Sequence, residues 1–427
     1  MPQADSPRPH DPYAALRIPD FRRFVASVLV LTIATQIQAV VVGWQIYSVT
    51  RDPLSLGLVG LAEALPFISI ALFAGHVADR ANRRQVVALA MAAMLGCAAA
   101  LLAFTLVPGS LAQGRVWPIY AVIFASGIAR SFLQPARQAL GAELVPRPLY
   151  PNAVAWRSSI WQSAAVLGPA LGGILYGFGG PAMAYGVDLA LVVVALAAIA
   201  RVRGVAAAEE LAPDTVGQAP LMEGLGAGVR FVRSRPVLLG AITLDLLCVL
   251  FGNATALLPI FAADILRVGP KGLGVLRAAP AVGAVLMSLF LAHRRALQRA
   301  GAALFGNVAV FGLAMIGFGL SRNFVLSAAL LAVSGAVDMV SVVIRSTLLQ
   351  VSTPRQLLGR VSSVNQIFIG SSNEIGAFES GVAARIMGTV PSVVFGGSIT
   401  ILTVLVVSLS VPQLRRLRSI SDVSQRL

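Results

Sequence analysis

Two carboxylates, Glu374 and Glu379, lie inside an otherwise apolar stretch that reads QIFIGSSNEIGAFESGVAARI over residues 366–386. An ionised side chain in hydrocarbon costs several kcal/mol unless it faces a cavity or an opposite charge. A carboxylate in this setting is suited to carrying a proton or to holding a polar ligand. The two are five residues apart, or about 140° around a helix, so we do not expect them to act as a pair.

Other polar residues interrupt the apolar runs in the same way. Gln38 and Gln45 are seven residues apart and therefore share a helix face. We predict a polar cavity with one proton-carrying carboxylate, Asp338 and Glu374 being the first choices. The alternative for each charged residue is a structural ion pair between helices, which we favour for Asp188. The predicted cavity and proton-coupling residues are Gln38, Gln45, Glu63, Arg130, Asp245, Asp338, Arg345, Glu374 and Glu379.

Several kinds of chemistry are not supported by the sequence. Cys97 and Cys248 fall inside apolar runs and the three histidines are isolated. We therefore predict no disulfide, no metal site and no enzymatic site. The phosphate-binding pattern Gly-x-x-x-x-Gly-Lys-Ser/Thr does not occur, so we expect neither direct use of ATP nor another cofactor.

The elements that must position these residues are long hydrophobic runs. The chain has 427 residues, of which 57% are hydrophobic and 12% charged, and its mean hydropathy is +0.82. Runs of about 18–25 residues recur, long enough to cross the bilayer as helices. We predict an all-α polytopic membrane protein with twelve spans, near residues 24–48, 55–78, 85–107, 117–137, 152–177, 182–200, 237–260, 272–292, 301–320, 323–345, 358–385 and 390–411.

The net charge of +15 follows the predicted topology. If the N-terminus is cytoplasmic, most arginines fall in the cytoplasmic segments, as the positive-inside rule requires. This distribution indicates attraction to anionic lipids rather than to nucleic acid. We predict a multi-pass protein of the bacterial cytoplasmic (inner) membrane with both termini in the cytoplasm.

The two halves of the chain repeat each other. VPRPLYPNAVAW at 145–156 is similar to TPRQLLGRVSSV at 353–364, a shift of 208 residues, and TPRQ is expected to begin the eleventh span with Thr353 as cap. A second match, shifted by about 214 residues, aligns Glu63 with Arg277, so equivalent positions carry opposite charges. The predicted units are a tail (1–23), a six-helix bundle (24–200), a cytoplasmic loop (201–236), a second six-helix bundle (237–411) and a tail (412–427).

The central loop contains LMEGLGAGVRFVRSRP, in which Leu221, Leu225, Val229 and Val232 recur at helical spacing. This pattern predicts an amphipathic helix on the cytoplasmic surface. The alternative is an unstructured basic linker. In membrane chains, internal repeats around such a loop are typical of transporters with a binding site between the halves.

The loop GHVADRANRR at 75–84 resembles the loop signature of the major facilitator superfamily, Gly-x-x-x-Asp-Arg-x-x-Arg-Arg. The matching residues are Gly75, Asp79, Arg80, Arg83 and Arg84. The resemblance implies two pseudo-symmetric six-helix bundles around a central cavity. It also implies that Asp79 latches the cytoplasmic side against the eleventh span in the outward-facing state, while Gly75 lets two helices approach closely.

GPALGG at 168–173 resembles the antiporter signature of the same superfamily, with Gly168, Pro169, Gly172 and Gly173 matching. In that family the motif accompanies export rather than uptake. Two glycines expected upstream of the motif are Ala164 and Ala155 in this chain. The alternative is ordinary packing of small residues.

RSFLQPARQALGAELVP at 130–146 resembles the bacterial drug and siderophore efflux branch, which has enterobactin-exporter-like members. This resemblance implies export but does not identify the cargo. We expect secondary active export of a small amphipathic molecule, such as a drug or siderophore, in exchange for protons by a monomer in the membrane. Two alternatives stay open. One is a proton symporter that imports a small metabolite, and the other is a membrane sensor or assembly partner that transports nothing.

Overall fold

The computed structural model describes residues 11–107, 109, 115–203, 221–293, 299–354 and 357–417. These residues form helices and no strand. In chain order the α-helices are α1 (Pro19–Thr50), α2 (Pro53–Arg80), α3 (Arg83–Leu106), α4 (Trp117–Glu143), α5 (Tyr150–Ala200), α6 (Leu221–Ser234), α7 (Pro236–Gly252), α8 (Leu258–Ile260), α9 (Gly269–Ala292), α10 (Ala300–Leu320), α11 (Phe324–Ser352), α12 (Leu358–Met387), α13 (Thr389–Ser410) and α14 (Pro412–Arg415).

The long helices coincide with the predicted spans. Nine segments of the described residues are long and apolar enough to cross a membrane, judged by length and composition. Helices α4 and α12 are not among the nine, and both carry several charged residues. The predicted fifth and sixth spans both lie in α5 and are counted once. The arrangement is therefore consistent with twelve spans.

The chain reverses direction inside α5. Gly180 has φ 69° and ψ −171°, a conformation open to glycine, and Pro181 follows it. Before this point α5 runs parallel to α1, because Gly168 lies against Gln36 and Gly172 against Val40. After it, α5 runs antiparallel to α1, since the Ser27 hydroxyl donates to the Ala195 carbonyl and the Tyr185 hydroxyl donates to Gln45.

Polar caps begin several helices. Asp52 accepts from the backbone N–H of Leu54 at the start of α2, and Asn82 accepts from that of Gln85 at the start of α3. The predicted span 358–385 begins where α12 begins, at Leu358, but the prediction that Thr353 caps its start is wrong. Thr353 follows Ser352 as the C-cap of α11.

The described apolar core has three main parts. One part contains residues of both halves, among them Ile46 and Val41 of α1, Phe261 and Phe318. The second lies wholly in the N-terminal half, and the third wholly in the C-terminal half. The halves therefore share a core at one end of the molecule. Near the end that carries the N-terminal segment and α14, each half has a core of its own.

Helix α6 docks on the C-terminal half. Val232 is buried with Leu238, Leu349 and Val361, while Arg230 and Arg233 are exposed. A Cβ atom added at Gly228 would lie 3.1 Å from the Arg360 carbonyl oxygen, which shows how closely α6 approaches α12. The segment 204–220 that precedes it lies outside the described residues.

Glycines allow two close crossings of helices from different halves. On one side α5 crosses α9, where a Cβ atom added at Gly173 would lie 2.5 Å from the Pro270 carbonyl oxygen. On the other side α2 crosses α12, where a Cβ atom added at Gly381 would lie 2.6 Å from the Gly57 Cα atom. The 208-residue shift places Gly173 on Gly381, so the two crossings follow the repeat seen in the sequence.

Candidate functional site: a charged cavity between the halves

A cavity of about 500 Å³ lies between the two halves. Its wall is made by α1, α2, α4 and the first part of α5 on one side, and by the region after α7, α9 and α12 on the other. The predicted residues Gln38, Glu63, Arg130 and Glu374 line it. Further lining residues include Thr35, Gln36, Trp161, Asn253, Arg277 and Asn373.

Glu63 of α2 and Arg130 of α4 form an ion pair in the cavity wall. Both belong to the N-terminal half, and the side chain of Arg130 is 41% exposed. The pairing explains how two opposite charges are tolerated at this depth, because each offsets the desolvation of the other.

Arg277 and Glu374 are contributed by the C-terminal half. Arg277 Nη1 donates to the carbonyl oxygen of Ala39 in α1, at 3.1 Å, and this bond crosses between the halves. Glu374 lies in the electrostatic field of both Arg130 and Arg277, yet it forms no ion pair with either in the described structure. The described cavity wall thus carries two carboxylates, Glu63 and Glu374, and two guanidinium groups, Arg130 and Arg277. When all four are ionised, their charges sum to zero.

Amide side chains supply further hydrogen-bonding groups. Asn253 follows the end of α7, where its Oδ1 accepts from the Thr255 backbone N–H at 3.0 Å. Its Nδ2 donates to Asn373 Oδ1 at 3.5 Å. The cavity wall thus combines charges, amides and the partly exposed indole of Trp161, and it can hold a molecule that is polar on one side and apolar on another.

Three of the predicted cavity residues lie elsewhere, inside the C-terminal half. Asp245 of α7 and Arg345 of α11 form a buried ion pair. Asp338 lies near them and lines a separate cavity of about 10 Å³ together with Cys248 and Asn307. In this conformation none of the three is among the described residues that line the central cavity, and Asp245 and Asp338 lie instead beside Asn307 of α10.

Gln45 and Glu379 also lie off the described cavity wall. Gln45 accepts from Tyr185, and its Nε2 donates to Thr105 at 3.3 Å, so it is used inside the N-terminal half. Glu379 lies five residues beyond Glu374 on α12, on a different side of the helix, as the spacing predicts.

The loop motif is described in part. The side chains of Asp79 and Arg80 lie outside the described structure. Arg83 pairs with Glu143 of α4, and Arg84 Nη2 donates to the Ala200 carbonyl at 2.7 Å. A Cβ atom added at Gly75 would meet no described atom within 4 Å, so the expected close approach of two helices at Gly75 is not seen among the described residues.

The glycines of the antiporter-type motif face two different helices. Added Cβ atoms at Gly168 and Gly172 would meet α1 of the same half, at Gln36 and Ile37. At Gly173 the neighbour is α9 of the other half, and the carbonyl of Pro169 lies against Gly274 of the same helix. The motif therefore sets the spacing both within the N-terminal half and between the halves.

Ion pairs close the end of the cavity where the halves share a core. Asp264, in the π-helical turn Phe261–Ile265, pairs with Arg51 and accepts from the Tyr47 hydroxyl. Arg385 at the end of α12 pairs with Asp52 before α2. Sequence reasoning missed these residues. The available signal was their position at predicted span ends, where opposite charges from different halves meet.

Comparisons with known proteins agree with this architecture. The family model of transmembrane secretion effectors matches residues 10–426. The enterobactin exporter EntS of Shigella flexneri is 26% identical over 403 residues, which is 94% of this chain and 93% of that protein. The protein of the same name from Citrobacter koseri is also 26% identical, over 94% of both chains.

Solved structures show the same fold. A mutant of the nucleoside transporter NupG superposes with a TM-score of 0.69 at 12% identity, over 91% of this chain and 99% of that one. A bacterial homologue of the lysosomal transporter Spinster, crystallised inward-facing, gives 0.65 at 14% identity, over 97% and 98%. With two helical bundles, a cavity between them and a family match along nearly its whole length, the chain belongs to the transmembrane secretion effector family of major facilitator transporters and is not an enzyme.

Proposed function

We propose that the protein exports small amphipathic organic molecules, of the drug or siderophore class, in exchange for protons. The observation that carries the proposal is the cavity between the halves, with its four ionisable groups and its amides. The described lining residues all belong to one chain, which supports a monomer as the transporting unit. The relatives named as enterobactin exporters support the class of cargo and the direction of transport.

We assign the described conformation as inward-facing. The arginine distribution supports an orientation in a bacterial inner membrane with both termini in the cytoplasm. On that assignment the shared core and the Arg51–Asp264 and Arg385–Asp52 pairs lie at the periplasmic end. The separate cores lie at the cytoplasmic end, from which cargo enters.

Glu374 is the group in the wall at which proton and cargo compete. It has no ion-pair partner among the described residues, and it lines the cavity beside Asn373. Protonation neutralises this carboxylate, and a cationic group of the cargo binds the ionised form, so the proton and the cation displace each other there. Mutual exclusion of this kind is what an obligatory exchange requires.

The test has two stages. An export screen across drugs and siderophores, in a strain that lacks the gene, identifies a cargo. Its accumulation is then followed in inverted membrane vesicles. Accumulation driven by an inside-acid gradient supports export in exchange for protons. If a cargo known from the screen does not accumulate under any proton gradient, proton coupling is excluded. Loss of cargo from preloaded vesicles under the same gradient would indicate a symporter that imports it.

A further inference from the structure

Asp188 is a buried carboxylate without a partner. It lies in the second part of α5, its exposed fraction is 0%, and neither carboxylate oxygen has a hydrogen-bond partner in the described structure. The sequence favours an ion pair for this residue, and the structure shows none. An ionised carboxylate so placed would lose the solvation of water with nothing to replace it.

The helices packed against Asp188 offer no counter-charge at its level. Helix α1 carries its charged side chains in its first turn, at Asp20, Arg22 and Arg23, and α3 carries Arg83 and Arg84 in its own. Arg84 reaches the carbonyl of Ala200, twelve residues beyond Asp188 and about 18 Å further along a helix. The titratable groups that remain are the phenol of Tyr185, one turn before Asp188, and the buried thiol of Cys97 on α3.

A line of polar side chains runs beside this carboxylate. The Tyr185 hydroxyl donates to Gln45 Oε1 at 2.8 Å, and Gln45 Nε2 donates to Thr105 Oγ1 at 3.3 Å. The contacts Tyr185–Gln45 and Ala195–Ser27 lie on either side of Asp188 along α5, which places it beside the middle of α1. Gln38 lies there, two turns from Gln45 on the same face, and it also lines the central cavity.

We infer that Asp188 is a proton-binding site inside the N-terminal bundle, neutral in this conformation, and that it releases its proton only when α5 moves against α1. The neutral acid is the form that this unpartnered, dehydrated position accepts. Ionisation needs water or a counter-charge, and a shift of α1 past α5 can admit either beside Gln38. The claim that Asp188 binds a proton does not depend on the proposed function. The claim that it releases this proton adds a step to the proposed proton exchange and rests on that proposal.

Infrared spectroscopy of the purified full-length protein tests the bound proton directly. A protonated carboxylic acid has a C=O stretching band that an ionised carboxylate lacks and that shifts in D2O. Asp188→Asn is nearly isosteric and is expected to remove one such band at neutral pH. Asp20→Asn is the matched control, because Asp20 pairs with Arg23 at 2.9 Å, and it is expected to remove none. If Asp188→Asn keeps every protonated-carboxyl C=O band of the parent protein, the inference is overturned.

A second preparation covers the case in which Asp188→Asn does not fold. Protein with 13C-carboxyl aspartate is made in an Asp338→Asn background, because Asp338 is the other aspartate without an ion pair among the described side chains of the bundles. The inference requires a protonated aspartate band that carries the isotope shift. Absence of that band shows an ionised Asp188 and overturns the inference.

The release step is tested with protons as the only added ligand. Spin labels on Val49→Cys and Met387→Cys, exposed positions near the closed end of the two halves, report the distance between them. Raising the pH is expected to change the distance distribution in the parent protein and to change it less in Asp188→Asn. Identical pH profiles overturn the release step. If the release step holds but inverted vesicles show no proton-driven accumulation, the proposed exchange fails and the proton site remains.

Discussion

Arg51 and Asp264 are 213 residues apart in sequence, yet they join the two halves through an ion pair of 2.9 Å between Nη1 and Oδ1. Arg51 ends α1 in a left-handed conformation, with φ 51°, and its guanidinium also lies over the Tyr47 ring. The two side chains are 63% and 45% exposed. Exposed ion pairs contribute little, so this closure can form and break during a transport cycle.

Asp264→Asn is expected to weaken closure of this end. The substitution removes the charge that Arg51 meets and weakens the bond from Tyr47, a loss of about 1 kcal/mol after allowance for solvent screening. That loss corresponds to about a fivefold shift in population towards the state open at this end. Distances between spin labels at Val49→Cys and Met387→Cys measure it. Asp20→Asn, whose partner Arg23 belongs to the same half, should leave the distances unchanged.

Glu374→Gln is expected to remove most of the proton-driven accumulation of cargo in inverted vesicles, with expression unchanged. The amide has nearly the shape of the acid but cannot exchange a proton. Glu379→Gln is the matched control on the same helix, because Glu379 lies off the described cavity wall. Normal accumulation by Glu374→Gln at every pH would take this residue out of the proton path.

Gly173→Ala is expected to destabilise the protein by about 1–3 kcal/mol, since the added methyl group would lie 2.5 Å from the Pro270 carbonyl oxygen. Gly96→Ala makes the same change in α3, where an added Cβ atom has no described neighbour within 4 Å. There the better helix propensity of alanine is expected to stabilise by up to about 1 kcal/mol. Thermal unfolding in detergent compares the two. Equal melting temperatures would show that the crossing of α5 and α9 relaxes freely.

Asp245→Asn is expected to cost about 3–5 kcal/mol of unfolding free energy, because it leaves the buried guanidinium of Arg345 without its counter-charge. Replacing both partners by apolar residues, Asp245→Leu with Arg345→Met, should restore most of that loss. Denaturant unfolding of the two variants gives the comparison. A double variant as unstable as Asp245→Asn would mean that the pair stabilises the fold beyond mutual neutralisation.

Hydropathy and the loop motif were sufficient to predict the fold, because a membrane helix needs a long apolar run and the loop signature has a fixed spacing. The internal repeat also placed Glu63 opposite Arg277, and both line the cavity. Residues that the repeat aligns occupy equivalent positions in the two halves. If one of them faces the space between the halves, the other is expected to face it too.

The orientation of individual helices was not predictable from the sequence in the same way. Asp245 and Asp338 lie on helices that were expected to border the cavity, yet they face the interior of the C-terminal half. In a membrane protein the lipid-facing and core-facing sides are both apolar, so periodicity identifies the inner face poorly. Asn253 was missed for a related reason, since its role depends on where α7 ends.

The glycine crossings at Gly173 and Gly381 bear on how the protein avoids leaking ions across the membrane. At both places the main chain of one half lies directly against the main chain of the other. A contact between two backbones cannot be opened by the rotation of a side chain. A transporter must move its cargo without leaking ions, and we expect these two backbone contacts to stay closed to ions while side chains rotate.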